Sequence, residues 1–420
     1  MKLQKILSNF QKLHPKEIDL SLDRIKNLCE KLGNPQDKIK AISFIGTNAK
    51  NSTISVIYSI LKEAGFKCNV YTSPHIQRIN ERFVYNNEQL NDDELADLFE
   101  EVQKINNNEP ITFFEILTAC YFYKAADYPD NINLIESGLF YRLDSSNVLK
   151  SNLASVVTAI SEDHLDWLPE NDRTIERIIF EKTSSLLNSN IIVAKQRDTK
   201  TIECIKKTIS ENKSNKYFFN EDFSFTNEEN GNWYYEDKLG GLRLPTPNIL
   251  GQFQLENIST AIATLRILDI GIKEDHIKKA ITKIESIARL QEIKSGKLKD
   301  LVKNNMLIVD GSHNQHGAQV LNEYLQTLNC NKHVILGMMA NKEHDKYISY
   351  FKDISSITTI DIPNQNSISG KELKDKFKNH PNVQYQESID QAIKSVPLKE
   401  NDILIITGSL YLAGEVLNLN

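Results

Sequence analysis

The chain has 420 residues, 40% of them hydrophobic and 25% charged, a soluble globular composition long enough for two or three domains. A net charge of −6 without a basic stripe excludes the usual electrostatic footprint of a nucleic-acid binder. Cys29, Cys68, Cys120, Cys204 and Cys330 are scattered, odd in number and form no C-x-x-C pair, which points to reduced thiols rather than a disulfide framework or zinc ribbon. The first 20 residues are broken by polar positions and lack the apolar core of a signal peptide. No stretch approaches the roughly 20 apolar residues of a membrane span. A cytoplasmic protein without membrane or nucleic-acid partners is expected.

In chain order, a helix is predicted at 22–32, then a strand at 42–45. Its apolar run (Ile42, Phe44, Ile45) stops at Gly46, and a helical apolar pattern resumes after Thr53. Between them lies Gly46-Thr47-Asn48-Ala49-Lys50-Asn51-Ser52. Strand, glycine turn, lysine and hydroxyls at a helix start aim backbone N–H groups and the positive helix end at a polyphosphate. Lys50 supplies a point charge in such a loop, and Ser52 or Thr53 an oxygen near Mg²⁺. Ala49 stands where the strict G-x-x-x-x-G-K-[ST] pattern has glycine. On these residues alone, an ordinary strand-to-helix turn with a surface lysine is an equal reading.

Strands are predicted next at 68–72, 132–136, 154–160 and 190–194, alternating with helices at 53–64, 92–104, 113–126 and 174–187. This alternation implies a mainly parallel sheet covered on both faces. Aromatic and polar residues with N-G and G-G turns at 217–245 suggest a small antiparallel insertion, and helices follow at 254–268 and 274–284. After about residue 288 the alternation restarts, with strands in MLIVDG, HVILGMM, ITTIDI, VQYQ and DILIITG. The helices between them fall at 316–328, 343–353, 370–378 and 388–395. The expected architecture is α/β throughout: residues 1–288 with the insertion near 217–245, then a smaller Rossmann-like domain, 289–420. Two such lobes imply a cleft between them, a favoured place for ligands.

Functional groups cluster just past the C-terminal ends of the predicted strands, where open α/β sheets bind ligands. They are Tyr71-Thr72-Ser73-Pro74-His75 with Arg78, Asn80, Glu81 and Arg82; Leu134-Ile135-Glu136-Ser137-Gly138 with Arg142, Asp144 and Asn147; and Ser161-Glu162-Asp163-His164-Leu165-Asp166-Trp167. Glu181-Lys182 follows on the next helix. Glu136, His164 and the Ser73 hydroxyl form an oxygen-rich set with one imidazole, suited to Mg²⁺ or Mn²⁺ rather than structural zinc. Singly, each has a plainer role as a turn, a cap or a solvated charge. Jointly, with the lysine loop at the same sheet edge, they favour a site.

These motifs together resemble the folylpolyglutamate synthases and bifunctional dihydrofolate synthases of the Mur ligase superfamily. The family loop G-T-N-G-K-G-S is GTNAKNS here, Gly46–Ser52, and T-S-P-H…N-E-R is intact as Thr72–His75 and Asn80–Arg82. E-V-G-L-G-G-R-L-D-A-T-N corresponds to ESGLFYRLDSSN, Glu136–Asn147, with Phe140-Tyr141 replacing Gly-Gly. D-H-x-D-W-L is Asp163–Leu168, and E-K is Glu181-Lys182. LGQFQLEN, Leu250–Asn257, is similar to L-x-G-x-H-Q-x-x-N with Phe253 replacing histidine. Ala288–Gln291 resembles G-R-L-Q, Asp310–Asn314 resembles D-G-A-H-N, and TGSLYL, Thr407–Leu412, matches the closing motif. The resemblance runs from Asp19 to nearly the last residue.

The resemblance implies an ATP-dependent ligase with a P-loop-containing, Mur-ligase-like central domain and a C-terminal glutamate-ligase domain. Such enzymes activate a carboxylate as an acyl phosphate, which the amine of L-glutamate attacks; dihydropteroate or folates are the acceptors. It implies ATP and Mg²⁺ or Mn²⁺, held by Gly46, Thr47, Asn48, Ala49, Lys50, Asn51, Ser52 and Thr53 with Asn257, Arg289 and Asp310. The implied metal ligands are Ser73, Glu136, His164 and Lys182, the lysine as a carbamate. Lys50, Lys182, Asp310 and His313 are the implied catalytic group, His313 at the inter-domain site. The acceptor falls to Asp19, Leu20, Ser21, Thr112, Phe113, Phe114, Glu115 and Arg142. A monomer is expected. Two alternatives stay open: a homologue that binds nucleotide or folate without turnover, and a Mur-type ligase with a non-folate acceptor.

Overall fold

The computed structural model describes residues 2–16, 19–228, 231–351, 353–377 and 380–420. The chain divides into two compact units, Met1–Asn248 with Leu255–Ile284, and Ile249–Gln254 with Glu285–Asn420.

In the first unit the strands are β1 (Lys40–Ile45), β2 (Cys68–Tyr71), β3 (Phe83–Tyr85), β4 (Glu88–Gln89), β5 (Ile132–Glu136), β6 (Ala154–Val157), β7 (Asn190–Val193) and β8 (Asn215–Phe218). They form one sheet in the order β4-β3-β2-β5-β1-β6-β7-β8. From β2 to β8 every pairing is parallel, while β3 and β4 add an antiparallel edge. The central strands are continuous buried runs, as a sheet covered on both faces requires. β1 lies between β5 and β6 with Phe44 beside Glu136 and Ile45 beside Val157. This register brings Gly46, Glu136 and Thr158 out at one sheet edge.

Helices α1 (Lys2–Lys12), α2 (Asp23–Lys31), α3 (Lys50–Glu63), α4 (Asp92–Asn106), α5 (Phe113–Ala125), α6 (Ile175–Thr183), α7 (Thr199–Thr208), α8 (Phe253–Leu268) and α9 (Glu274–Ala280) accompany this sheet. Three differences from the sequence reading have local causes. α1 was not anticipated: Leu3, Ile6 and Phe10 form a narrow apolar stripe that packs with α4, Phe10 against Phe99 at 5.4 Å. The β3–β4 hairpin turns on Asn86 and Asn87, both left-handed (φ 54° and 71°), so asparagines do what Asn-Gly does in commoner turns. α3 begins at Lys50 rather than after Thr53, because its polar first turn carries no apolar periodicity.

The three-stranded antiparallel sheet β9 (Phe223–Asn227), β10 (Trp233–Asp237) and β11 (Gly240–Leu244) lies within 217–245. Residues 217 and 218 belong instead to β8 of the large sheet.

The second unit holds β12 (Gln291–Glu292), β13 (Met306–Val309), β14 (Lys332–Leu336), β15 (Ser356–Ile360), β16 (Val383–Gln386) and β17 (Ile403–Thr407), ordered β12-β13-β17-β14-β15-β16. Only β12 is antiparallel. Its helices are α10 (Lys297–Val302), α11 (Gln315–Gln326), α12 (His344–Ile348), α13 (Gly370–Asp375), α14 (Ile389–Ser395) and α15 (Leu410–Leu419). Ile308, Val334, Leu336, Ile357 and Ile405 form the core with Tyr347 and Phe351. Buried His333 bridges Ser356 (2.7 Å) and Asp402 (3.1 Å), pinning the starts of β14, β15 and β17. Among the described residues, no helix is long and apolar enough to cross a membrane.

Candidate active site

The glycine loop leaves β1 at Gly46. A Cβ there would lie 2.0 Å from Thr158 Oγ1, so only glycine fits. Thr158 Oγ1 donates to Asn48 O at 2.7 Å, and Thr47 and Asn48 N–H both donate to Ala159 O. The Thr47 hydroxyl donates to Ser161 O (3.0 Å) and accepts from Ser161 N (3.1 Å), while Asn48 Nδ2 donates to Ser161 Oγ (3.1 Å). The loop is therefore sewn along 158–161, the segment that carries the chain to Asp163 and His164. Thr158 escaped the sequence reading, since its loop partners lie more than a hundred residues away.

Ala49 is the N-cap of α3 at φ +69°, with no side-chain cap. Asn51, Ser52 and Thr53 lie inside the helix, and Thr53 Oγ1 donates to Ala49 O at 2.9 Å. Of the two loop positions where this chain replaces the family's glycine, 49 and 51, only 49 is left-handed. Ala288, where the family's G-R-L-Q motif has glycine, is left-handed as well (φ +52°). A left-handed residue with a Cβ costs about 1–2 kcal/mol, less the conformational freedom glycine restores to the unfolded chain, about 0.4–1 kcal/mol. Ala49→Gly and Ala288→Gly are therefore each expected to stabilise the protein by roughly 0.5–1 kcal/mol. Chemical denaturation checks this: a loss of stability on either change would show that the alanine methyl packs favourably.

Lys50 Nζ donates to Gly46 O (3.1 Å) and Thr47 O (3.4 Å), and lies 3.8 Å from Glu136 Oε1. Glu136, buried at the end of β5, accepts from Ser73 N at 3.0 Å through Oε2. Lys182 is also buried, and its Nζ donates to Gly46 O and Leu139 O, both at 2.9 Å. Two lysines thus converge on one carbonyl oxygen. Burial, reinforced by the Lys50 charge, brings the Lys182 ammonium down to about 7. A neutral amine has two N–H donors and one lone pair; two carbonyls satisfy the donors and leave the lone pair for chemistry.

Lys182 is no surface lysine, and its neighbour Glu181 has other partners. Glu181 is taken by Arg142 (Nε–Oε2 2.8 Å, Nη2–Oε1 2.9 Å) and by Arg177 Nη2 (2.6 Å). Arg142, assigned to the acceptor by resemblance, also braces this segment: Tyr141 and Arg142 N–H donate to Glu181 O. Phe140 and Tyr141 turn inward and pack with Ile45, Val157, Ile178 and Ile179. Their bulk fills the core instead of obstructing the loop, though the Phe140 ring lies 5.5 Å from Lys182 Nζ.

His164 is left-handed (φ +58°), with its N–H on Asp163 Oδ1 at 2.9 Å and Nε2 3.8 Å from Asp163 Oδ2. Among the described residues, no three His, Cys, Asp or Glu side chains converge in a manner that could hold a metal ion. His75 Nδ1 accepts from Arg82 Nε at 3.0 Å, and burial together with Arg82 lowers that imidazole to about 4. Glu81 accepts the N–H groups of Ile76, Gln77 and Arg78, bracing this loop.

The candidate acceptor segments lie at two helix starts. Thr112 caps α5 in a reciprocal box with Glu115, and Phe114 stacks on Tyr71 at 6.1 Å while Phe113 packs against the same core. Asp19 accepts from Arg24, a residue the sequence analysis did not single out.

In the second unit, Asp310 accepts from Leu290 N (3.0 Å) and Ser312 N (2.9 Å), and Gly311 N donates to Ala288 O (2.8 Å). The turn that carries Arg289, flanked by left-handed Ala288 and Leu290, is thus fastened to Asp310 and Gly311 at the end of β13. His313 Nδ1 is 2.9 Å from Gly311 O. Ser312, Tyr347 and Thr407 hydroxyls sit within 3.1 Å of one another and tie this turn to the end of β17. Asn257 lies buried on α8 in the first unit.

A phosphate-type loop with paired lysines on a parallel sheet, followed by a second α/β unit, is the build of a Mur-type ligase. Residues 288–410 match the family model described as the Mur ligase glutamate ligase domain. The chain is 30% identical to the dihydrofolate synthase/folylpolyglutamate synthase of Haemophilus influenzae, covering 97% of this chain and 95% of that protein. It is 28% identical to the Bacillus subtilis protein of the same name over 94% of each. The structure of Escherichia coli FolC in complex with DHPP and ADP superposes with a TM-score of 0.88 at 25% identity, covering 99% of this chain and 97% of that one. The chain belongs to the dihydrofolate synthase/folylpolyglutamate synthase family.

Proposed function

We propose that this protein is an ATP-dependent ligase that joins L-glutamate to dihydropteroate, to the glutamate tail of folates, or to both. The observation that carries the reading is the convergence of Lys50 and Lys182 on Gly46 O, beside buried Glu136. The Lys50 charge at a glycine loop and a helix N-terminus forms a pocket that a polyphosphate neutralises, with the Lys182 amine and the Glu136 carboxylate beside it.

An acceptor carboxylate oxygen attacks the γ-phosphorus and ADP leaves; the amine of glutamate then attacks the carbonyl carbon and phosphate departs. The loop N–H groups and Lys50 carry the charge that develops on the transferring phosphoryl group. Ser73, Glu136, His164 and carbamylated Lys182 would hold Mg²⁺ or Mn²⁺, a donor set that fits hard cations. When bound, the ion adds further neutralisation of that charge. The depressed Lys182 amine is the form that reacts with carbon dioxide, which replaces a cation beside the metal by a carboxylate-like ligand. Asn257, Arg289 and Asp310 serve the nucleotide, His313 the ligation step, and Asp19–Ser21 with Thr112–Glu115 the acceptor. The enzyme works as a cytoplasmic monomer on small molecules.

ADP release tests the reading. It should require both L-glutamate and a pteroate or folate acceptor, in the presence of Mg²⁺. ATP turnover indifferent to those acceptors, or supported only by a cell-wall precursor, would contradict it.

A further inference from the structure

Asp19–Ser21 precedes α2 and Thr112–Glu115 opens α5, more than ninety residues apart in sequence. One side chain grips both. Arg24, in the first turn of α2, donates from Nη2 to Asp19 O at 2.7 Å and from Nη1 to Asp19 Oδ2 at 2.9 Å. Its Nε donates to Glu115 Oε2 at 2.9 Å. That same carboxylate oxygen accepts from Thr112 N (2.8 Å) and Thr112 Oγ1 (2.7 Å). The guanidinium therefore reaches the cap of α5 and the backbone and side chain of the segment before α2 together.

This is not an ordinary surface ion pair. The Glu115 side chain is 5% exposed and that of Arg24 21%, so solvent screening, which makes exposed pairs nearly worthless, is weak here. The planar fork is also specific to arginine, whose donors leave in fixed, separate directions. A lysine ammonium is a single point and does not span Asp19 and Glu115 in this way.

We propose that Arg24 is a positioning residue for the carboxylate acceptor, a pteroate or folate, holding Asp19–Ser21 in register with Thr112–Glu115. The inference rests on the reading that these two segments hold the acceptor. Arg24 acts through the segments and touches neither the phosphate loop nor Lys182.

The test is steady-state ADP release by the full chain, with dihydropteroate or folate, ATP and glutamate varied in turn. Arg24→Lys keeps the charge and loses the fork. It should raise KM for the acceptor by about tenfold or more, the equivalent of one charge-assisted hydrogen bond, with KM for ATP unchanged. Asp19→Asn leaves the Arg24–Glu115 pair intact and should produce a smaller, equally acceptor-selective rise, so the question stays answerable if Arg24→Lys folds poorly. A rise shared by the KM values for acceptor and ATP, or no rise in either variant, overturns the proposal. Thr112→Val and Phe114→Ala separate the two readings. If they raise acceptor KM while Arg24→Lys does not, the proposal for Arg24 fails alone. If they too leave it unchanged, the acceptor assignment itself fails.

Discussion

Lys50→Ala is expected to lower kcat for ADP formation by about 10²–10³-fold, the cost of removing one preorganised donor from developing charge. Melting temperature should hardly move, because Lys50 Nζ contacts loop carbonyls and Glu136 rather than the core. The loop keeps its shape without the lysine: Thr158, Ala159 and Ser161 hold Thr47 and Asn48 from the other side. Turnover within about threefold of wild type would remove Lys50 from the phosphate site.

Lys182→Ala should abolish ligation altogether and regain part of it when acetate or propionate is supplied. Its Nζ is buried between Gly46 O and Leu139 O, with the amine brought down to about 7 by burial and by Lys50. A small carboxylate can enter the space the side chain leaves and supply the oxygens a carbamate provides. Lys182→Met should be equally inactive but unrescued, since the thioether chain fills that space. In the wild type, ¹³C-labelled bicarbonate should yield a carbamate resonance that Lys182→Met lacks. Full activity in Lys182→Ala, or rescue of Lys182→Met, would show that the lysine serves only to hold the loop carbonyls.

Much of the site was legible because its parts lie at the ends of strongly apolar strands. The runs around Ile42–Ile45, Cys68–Tyr71, Ile132–Glu136 and Ala154–Val157 mark the sheet, and the glycine loop, Ser73, Glu136 and Asp163-His164 lie at or after their ends. What stayed hidden depends on partners distant in sequence or on side-chain direction. Arg24 is one charged residue on a polar helix face until Glu115 is folded against it. Thr158 is an unremarkable strand-end residue until Gly46 closes on its hydroxyl. Phe140 and Tyr141 stand where the family carries small residues, and only the packing of 139–142 onto α6 shows that they face the core. Ala49 and Ala288 show the converse. The substitutions were visible, but their left-handed backbone, and hence their cost, was not.

The most direct measurement of the proposed chemistry follows oxygen. An acceptor labelled with ¹⁸O in its reacting carboxylate is turned over with ATP and L-glutamate, and the inorganic phosphate is analysed by mass spectrometry. Activation as an acyl phosphate predicts one labelled oxygen in the phosphate released for every amide bond made. Amide product accompanied by unlabelled phosphate would contradict it, because the carboxylate oxygen would then never have been bonded to phosphorus.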